Sequence, residues 1–223
     1  TITERLEFLL SSDSPQAISK SLALAIISAS DCLAHHKPDL VVLLGDRYES
    51  LAIAQSAMLA NIPIAHIHGG EITEGAIDDV IRHAITKMSH LHFTSTESYR
   101  QRVIQLGEQP SRVFNVGAPG LDNIHKLPLL NKQALAESLK FPELNFFFLV
   151  TYHPVTLSLN EAELALDNLL TVLTKYEAFN VLITFPNADA NGRKLIKRLE
   201  NFATKHAERV KLFESMGQIN YLS

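Results

Sequence analysis

Cysteine is nearly absent from this chain, and the single Cys32 excludes both an intrachain disulfide and a metal site built from several thiolates. A lone thiol in an apolar helical stretch points to a reducing compartment. No cluster of Lys and Arg is dense enough to read as a nucleic-acid or anionic-membrane surface, and the formal net charge of -4 with an isoelectric point near 6.2 agrees. Any phosphate would be held locally. Long apolar runs are missing too: 22–29 and 146–150 fall well short of the ~20 residues that cross a bilayer, so the chain reads as soluble and cytoplasmic. It has no low-complexity tract and no internal repeat beyond strand–helix alternation.

What is present is an ordinary globular composition, 46% hydrophobic and 20% charged with a mean hydropathy of +0.06, which argues against disorder. Its 223 residues suffice for one large domain or two small ones. Thr1 opens the chain without a basic segment or signal-type apolar core, and Ser223 closes it just after a strand-to-helix turn. Both ends read as cuts inside a longer protein.

Ser14-Pro15 is a helix start, and 17–35 is long enough to be that helix. The run 40–44 is wholly apolar, as in a parallel strand covered on both faces. The alternation continues with helix 49–60, strand 64–68, helix 77–89, strand 92–95, helix 98–106 and strand 113–116. Gly117-Ala118-Pro119-Gly120 and Leu127-Pro128 then interrupt it, before an amphipathic segment at 132–140. A second series follows: strand 146–151, helix 160–176, strand 181–185, helix 192–206 and strand 210–213. The pattern predicts an α/β protein of two Rossmann-like, parallel-sheet domains facing each other across a cleft, 1–127 and 128–223, each incomplete at its outer end.

The chemistry-bearing residues fall at predicted strand ends. Gly45-Asp46-Arg47 follows the first strand, and Asp46 is either a site carboxylate, a helix cap or a partner of Arg47. His66-Ile67-His68-Gly69-Gly70-Glu71 ends the second. On an extended strand His66 and His68 point to one side, as acid, base, metal ligand or hydrogen-bonded core residues, and the glycine pair lets backbone approach a ligand. Glu71 is the stronger candidate.

The next helix has an apolar stripe of Ile77, Ile81, Ala84, Ile85 and Met88. Its first turn carries Asp78 and Asp79, where the helix dipole favours negative charge, and Asp78 with Arg82 or Asp79 with His83 has surface-pair spacing. His90 and His92 read as strand-edge histidines. In the second half, His153-Pro154 and Phe185-Pro186-Asn187 again follow strands. The stretch Asn187-Ala188-Asp189-Ala190-Asn191-Gly192 is a turn with a helix cap or a cradle for phosphate or base.

Taken together, these motifs resemble the UDP-N-acetylglucosamine 2-epimerases, particularly the hydrolysing branch of bacterial sialic acid synthesis. The resemblance covers nearly the whole chain. It rests on Gly45-Asp46-Arg47, the 66–71 segment, Ile77-Asp78-Asp79 with Ile81-Arg82-His83-Ala84-Ile85-Thr86-Lys87, Thr151-Tyr152-His153-Pro154-Val155-Thr156 and Phe185-Pro186-Asn187.

The resemblance implies the B-type glycosyltransferase fold, with UDP held in the cleft mainly by the second domain, and a homodimer for the full-length protein. It implies Asp46, Glu71 and Asp78 as acid/base residues, and Arg47, Arg82, His153 and Asn187 as contacts to UDP or its phosphates. Relatives such as the animal enzyme carry glutamate where His68 stands, so that carboxylate's role passes to His68 or to Glu71. It also implies a basic nucleotide-contacting loop before residue 1 and a Gly-Asn-Ser-Ser-type UDP clamp beyond Ser223, and hence weak or absent turnover by these residues alone.

The chemistry explains the number of carboxylates. No carbonyl sits beside C2 of an N-acetylhexosamine, so its hydrogen becomes acidic only as UDP departs and C1 gains oxocarbenium character. A base then leaves 2-acetamidoglucal, and water at C1 with a proton delivered to C2 from the opposite face gives N-acetylmannosamine. No metal, nicotinamide or other cofactor is required. Three other outcomes stay open: a UDP-2,4-diacetamido-trideoxyhexose substrate as in legionaminic acid synthesis, a non-hydrolysing 2-epimerase, and a metal-dependent hydrolase using His66, His68, Asp46, Glu71 and His153.

Overall fold

The Ser14 hydroxyl accepts from the Ala17 N–H at 3.2 Å and Pro15 occupies the first turn, so helix α1 (Pro15–His36) starts where its sequence signals place it. It ends on Lys37, whose left-handed backbone (φ 47°) returns its N–H to Leu33 O. Residues 2–12, 14–141, 146–153, 159–186 and 192–223 are described by this structure, a computed structural model.

Two compact units divide the chain, 1–121 and 122–223. In the first, α1 is followed by β1 (Val41–Leu44), α2 (Tyr48–Leu59), β2 (Ile64–Ile67), α3 (Ile77–Met88), β3 (Leu91–Thr94), α4 (Glu97–Gln105) and β4 (Val113–Asn115). The four strands pair in parallel in the order β1-β2-β3-β4. Helix α5 (Pro119–Lys126) contains the division between units; sequence punctuation at Gly117 to Gly120 had hidden it. The second unit has α6 (Lys132–Ser138), β5 (Phe147–Thr151), α7 (Leu159–Thr174), β6 (Asn180–Thr184), α8 (Gly192–Lys205), β7 (Val210–Phe213) and α9 (Gly217–Leu222), with a parallel sheet β5-β6-β7.

The first core gathers Leu33, Val41, Leu43, Ala54, Ala57, Ile64, Ile81 and Ile85. The stripe predicted for α3 holds at Ile81 and Ile85 but not at Ile77, which is 55% exposed at the helix start. Helix α1 buries Ala17, Ser21, Ala25, Ala29 and Leu33, every fourth residue, and these small side chains admit close packing by α2; Ser56 Oγ donates to Ile26 O at 3.2 Å. Over its 22 residues α1 is also apolar enough to match a membrane span by length and composition, which the short uninterrupted runs of the sequence concealed.

In the second unit Leu166, Leu173, Val181, Ile183, Leu195, Leu199, Phe202 and Val210 form one core and Leu135, Leu139, Phe141, Leu182 and Met216 another. Alternate residues of β6 thus serve its two faces, as a covered parallel strand requires.

Candidate active site

Gly45 follows β1, His68 follows β2 and Ser95 follows β3, so three neighbouring parallel strands release the chain at the same end of the first sheet. Sheet pairing persists to that end: Gly45 N–H donates to Ile67 O (3.0 Å) and His68 N–H to Phe93 O (2.9 Å). Carboxyl ends of parallel strands are where such sheets hold ligands. Asp46 is delivered directly after Gly45, and Asp78 and Asp79 lie in the first turn of α3.

Arg82 organises this end. Its side chain is 4% exposed, and Nη2 donates to Asp46 Oδ2 and to Thr73 Oγ1 (2.7 Å), while Nη1 donates to Glu71 O (2.8 Å) and Asp79 Oδ1 (3.3 Å). Asp79 also accepts from Thr73 N–H (3.1 Å) and lies 3.6 Å from His83 Nε2. The surface pair expected between Asp79 and His83 is present. Arg82, in contrast, is a buried crosslink between α3, the β1 end and the 71–73 loop, which places it to hold carboxylates.

The backbone of His68 is left-handed (φ 68°), an uncommon state for a residue with a side chain. Strand β2 has already ended at Ile67, so the strand rule that would put His66 and His68 on one side does not extend to His68. His68 Nδ1 lies 2.6 Å from Glu71 Oε1, and Ser95 Oγ donates to the same oxygen at 2.7 Å. Burial pushes the Glu71 carboxyl up, but the hydrogen bonds from Ser95 and His68, with the charges of His68 and Arg82, outweigh it and hold the carboxyl below its ordinary range.

His66 is fully buried with both nitrogens engaged, Nε2 with Gly45 O (2.8 Å) and Nδ1 with Thr86 Oγ1 (3.1 Å). Because a carbonyl only accepts, Nε2 carries the proton and Nδ1 accepts from the Thr86 hydroxyl. Burial drives its pKa down to about 4, keeping the ring neutral. With no lone pair to spare, His66 is a structural tie and not half of a two-histidine metal chelate. Among the described residues the one group of three side chains clustered as metal ligands is Glu4, Cys32 and His36, on α1 and the segment before it.

The glycine pair is explained by packing. A Cβ on Gly69 would lie 3.1 Å from Thr86 Oγ1, and one on Gly70 (φ 80°) would lie 2.4 Å from Tyr99 O and 2.9 Å from Val103 Cγ2. Arg102 Nη1 donates to Gly70 O. The loop is therefore pressed against α3 and α4, whereas the sequence had suggested room for a ligand. His92 is also corrected: β3 is an interior strand, and His92 is fully buried with Nε2 3.2 Å from Glu108 Oε2. His90 is exposed and its Nδ1 accepts from Ile64 N–H at 3.3 Å.

Arg47 pairs with Glu49 at 3.2 Å and lies over Tyr48. In the second unit His153 is exposed just beyond β5, while Asn187 lies outside the described residues, as do Pro154, Val155 and Thr156. Thr151 Oγ1 meets Thr184 Oγ1 (2.9 Å) and Tyr221 OH (3.0 Å), which puts a hydroxyl cluster at the carboxyl ends of β5 and β6. Sequence reasoning missed this cluster, along with Thr73 and Ser95. Ser95 and Thr151, each at the end of a predicted strand, carried a usable signal, and Thr73 and Tyr221 carried none.

A groove of about 530 Å³ lined by Leu33, Leu59 and Ile62 lies beside Lys37, Pro38 and Ala60, at the amino ends of β1 and β2, and contains none of these candidates.

Two parallel-sheet α/β units, the first with carboxylates at its strand ends, define an α/β protein with a crevice-type candidate site, and comparison with known proteins specifies the family. The family pattern of the UDP-N-acetylglucosamine 2-epimerases matches residues 1–223, and the chain belongs to that family. It is 42% identical over 222 residues to a protein of Campylobacter jejuni named GDP/UDP-N,N'-diacetylbacillosamine 2-epimerase (hydrolyzing), covering 100% of this chain and 58% of that one. It is 41% identical over 186 residues to polysialic acid biosynthesis protein P7 of Escherichia coli, covering 83% of this chain and 47% of that one. The chain thus spans about half the length of these curated relatives.

Among solved structures, the UDP-GlcNAc 2-epimerase of Neisseria meningitidis bound to UDP-GlcNAc superposes with a TM-score of 0.72 at 21% identity, over 94% of this chain and 58% of that one. The Methanocaldococcus jannaschii UDP-GlcNAc 2-epimerase gives 0.71 at 20%, over 92% and 57%. The fold is that of these epimerases, the B-type glycosyltransferase fold.

Proposed function

We propose that this chain supplies the acid/base half of a hydrolysing 2-epimerase acting on a UDP-activated 2-acetamido sugar, with UDP-N-acetylglucosamine as substrate and N-acetylmannosamine and UDP as products. The observation that carries the reading is the meeting of Asp46 and the His68–Glu71 pair at the carboxyl ends of β1 and β2, tied to α3 through Arg82. Departure of UDP leaves positive character at C1, a base takes the C2 proton, and 2-acetamidoglucal results. Water then adds its hydroxyl at C1 while an acid returns a proton to C2 from the opposite face. The two faces require two groups; Asp46, Asp78 and the His68–Glu71 pair are the candidates. Arg47, His153 and Asn187 are proposed for the departing diphosphate, where positive charge and hydrogen-bond donors stabilise the charge that develops.

The scheme needs no metal or other cofactor, and activity is expected to survive exhaustive chelation. A homodimeric, cytoplasmic full-length protein in sialic acid synthesis belongs to the same proposal. A second reading, a UDP-2,4-diacetamido-trideoxyhexose as substrate, is favoured by the 42% identity to a relative named for diacetylbacillosamine.

The test is NMR of the product formed in deuterated water, with each sugar nucleotide supplied separately. Free 2-epimerised sugar carrying deuterium at C2, with equimolar UDP, supports elimination and hydration. Retained hydrogen at C2 rejects that route, and a UDP-linked product shows the non-hydrolysing reaction instead. The ratio of kcat/KM values for the two substrates decides between the readings.

A further inference from the structure

We propose that His68 Nε2 is the acid/base atom at the end of β2, that Glu71 works through His68 as a positioning residue, and that Ser95 completes the relay by fixing Glu71. The inference deepens the epimerase reading and rests on it for the reaction served.

Three observations point the same way. The first is the direction of the hydrogen bonds. The Glu71 carboxyl is held in its charged form, so Oε1 accepts both the Ser95 hydroxyl (2.7 Å) and His68 Nδ1–H (2.6 Å). With the proton that faces Glu71 on Nδ1, the lone pair of an uncharged ring sits on Nε2, and Nε2 makes no hydrogen bond within the described residues. Second, Oε1 takes both of these hydrogen bonds while the Glu71 backbone carbonyl is held by Arg82, so the carboxylate is fixed against the His68 ring.

The third is the backbone. Left-handed φ is strained at a residue with a side chain, and here it is enforced by the hydrogen bond from His68 N–H to Phe93 O and by the packed glycines that follow. Such enforcement holds the imidazole, not Glu71, at the strand end. The imidazole and the carboxylate come from the segment after β2 and the hydroxyl from the residue after β3, so sequence spacing does not reveal the part of Ser95.

The relay is read without turnover from long-range proton–nitrogen NMR spectra of His68 at a pH where the ring is neutral. The expected result is a protonated Nδ1 and a bare Nε2. Glu71→Ala is expected to shift the ring toward the Nε2-protonated tautomer, Ser95→Ala to shift it part of the way, and Ser95→Thr, which keeps a hydroxyl, to restore it. In the C2 deuterium assay with the full-length protein, Ser95→Ala is expected to lower kcat about 5-fold with KM unchanged, the effect of one lost hydrogen bond, and Ser95→Thr to recover it. His68→Gln is expected to lose at least about 100-fold, as for removal of a general acid or base.

A His68 ring protonated at Nε2 in the unsubstituted protein, or one indifferent to Glu71→Ala, overturns the relay. Full turnover by His68→Gln with none by Glu71→Ala overturns it too, since Glu71 would then act directly. Failure of the unsubstituted protein to release UDP from either sugar nucleotide rejects the epimerase reading, and with it the acid/base role, while the NMR arm still decides whether the hydrogen-bonded relay exists.

Discussion

Arg82, 4% exposed at its side chain, donates through Nη2 to the Asp46 carboxylate and so ties the middle of α3 to the end of β1. A guanidinium this deeply placed is stable only with acceptors around it, and Asp46, Thr73, Glu71 O and Asp79 provide them.

Arg82→Met removes the crosslink and leaves two carboxylates facing a buried apolar chain. The expected loss is about 3 kcal/mol, at the lower end for a broken buried pair because Asp46 and Asp79 keep some contact with water. The urea midpoint, with an unchanged m-value, measures it. Equal stability of Arg82→Met and the unsubstituted protein would show that the pair is not formed in solution.

Gly70 and Gly45 share a positive φ, 80° and 83°, but differ in surroundings: a Cβ on Gly70 meets Tyr99 O at 2.4 Å, while one on Gly45 has nothing within 4 Å. Gly45→Ala is expected to cost only the conformational strain, about 1 kcal/mol. Gly70→Ala adds an overpacking clash against helix backbone and is expected to cost about 3 kcal/mol or more. Paired thermal or urea unfolding of the two variants tests the difference, and similar values would contradict the packing of the loop against α4.

His66 gives the fold a pH dependence. Its folded pKa, lowered by burial from 6.5 to about 4, means that the unfolded chain binds a proton the folded chain refuses. Stability from this group is therefore complete above about pH 6.5, falls as pH drops through the interval down to about 4, and levels below it, a total of about 3 kcal/mol. Burial lowers His92 as well, with the same sign. Unfolding free energy measured between pH 7 and 4 should decline more gently in His66→Gln than in the parent; parallel curves would sink the assignment.

Arg209 plays a quieter part in the second unit. It is 8% exposed and donates to Leu173 O (3.2 Å) and Phe179 O (3.2 Å), capping the carbonyl end of α7 and the turn beyond it. Arg209→Met is expected to lose about 2 kcal/mol through the donors those carbonyls lose, with hydrogen exchange accelerated first at the C-terminal turn of α7. Uniform acceleration across the unit would argue against a local cap.

The sequence by itself determined the alternation of strands and helices, because apolar runs and helical periodicity are local properties. It also placed Asp46, His68 and Glu71 at strand ends and singled out the motifs that carry the family. Helix α5 escaped because Pro119 and Gly120 read locally as a break, although proline in the first turn is compatible with a helix.

Only the tertiary structure decided what each polar residue is for. His66 and His68 are alike in sequence, yet one is buried with both nitrogens spent and the other is held in a left-handed turn against Glu71. Arg82 looked like a surface partner because its i,i+4 neighbour is acidic, whereas burial turned it toward Asp46. Ser95 meets Glu71, 24 residues away in sequence, because β2 and β3 pair side by side. Hydrogen-bond direction and desolvation depend on neighbours brought together by sheet pairing, and no local pattern encodes them.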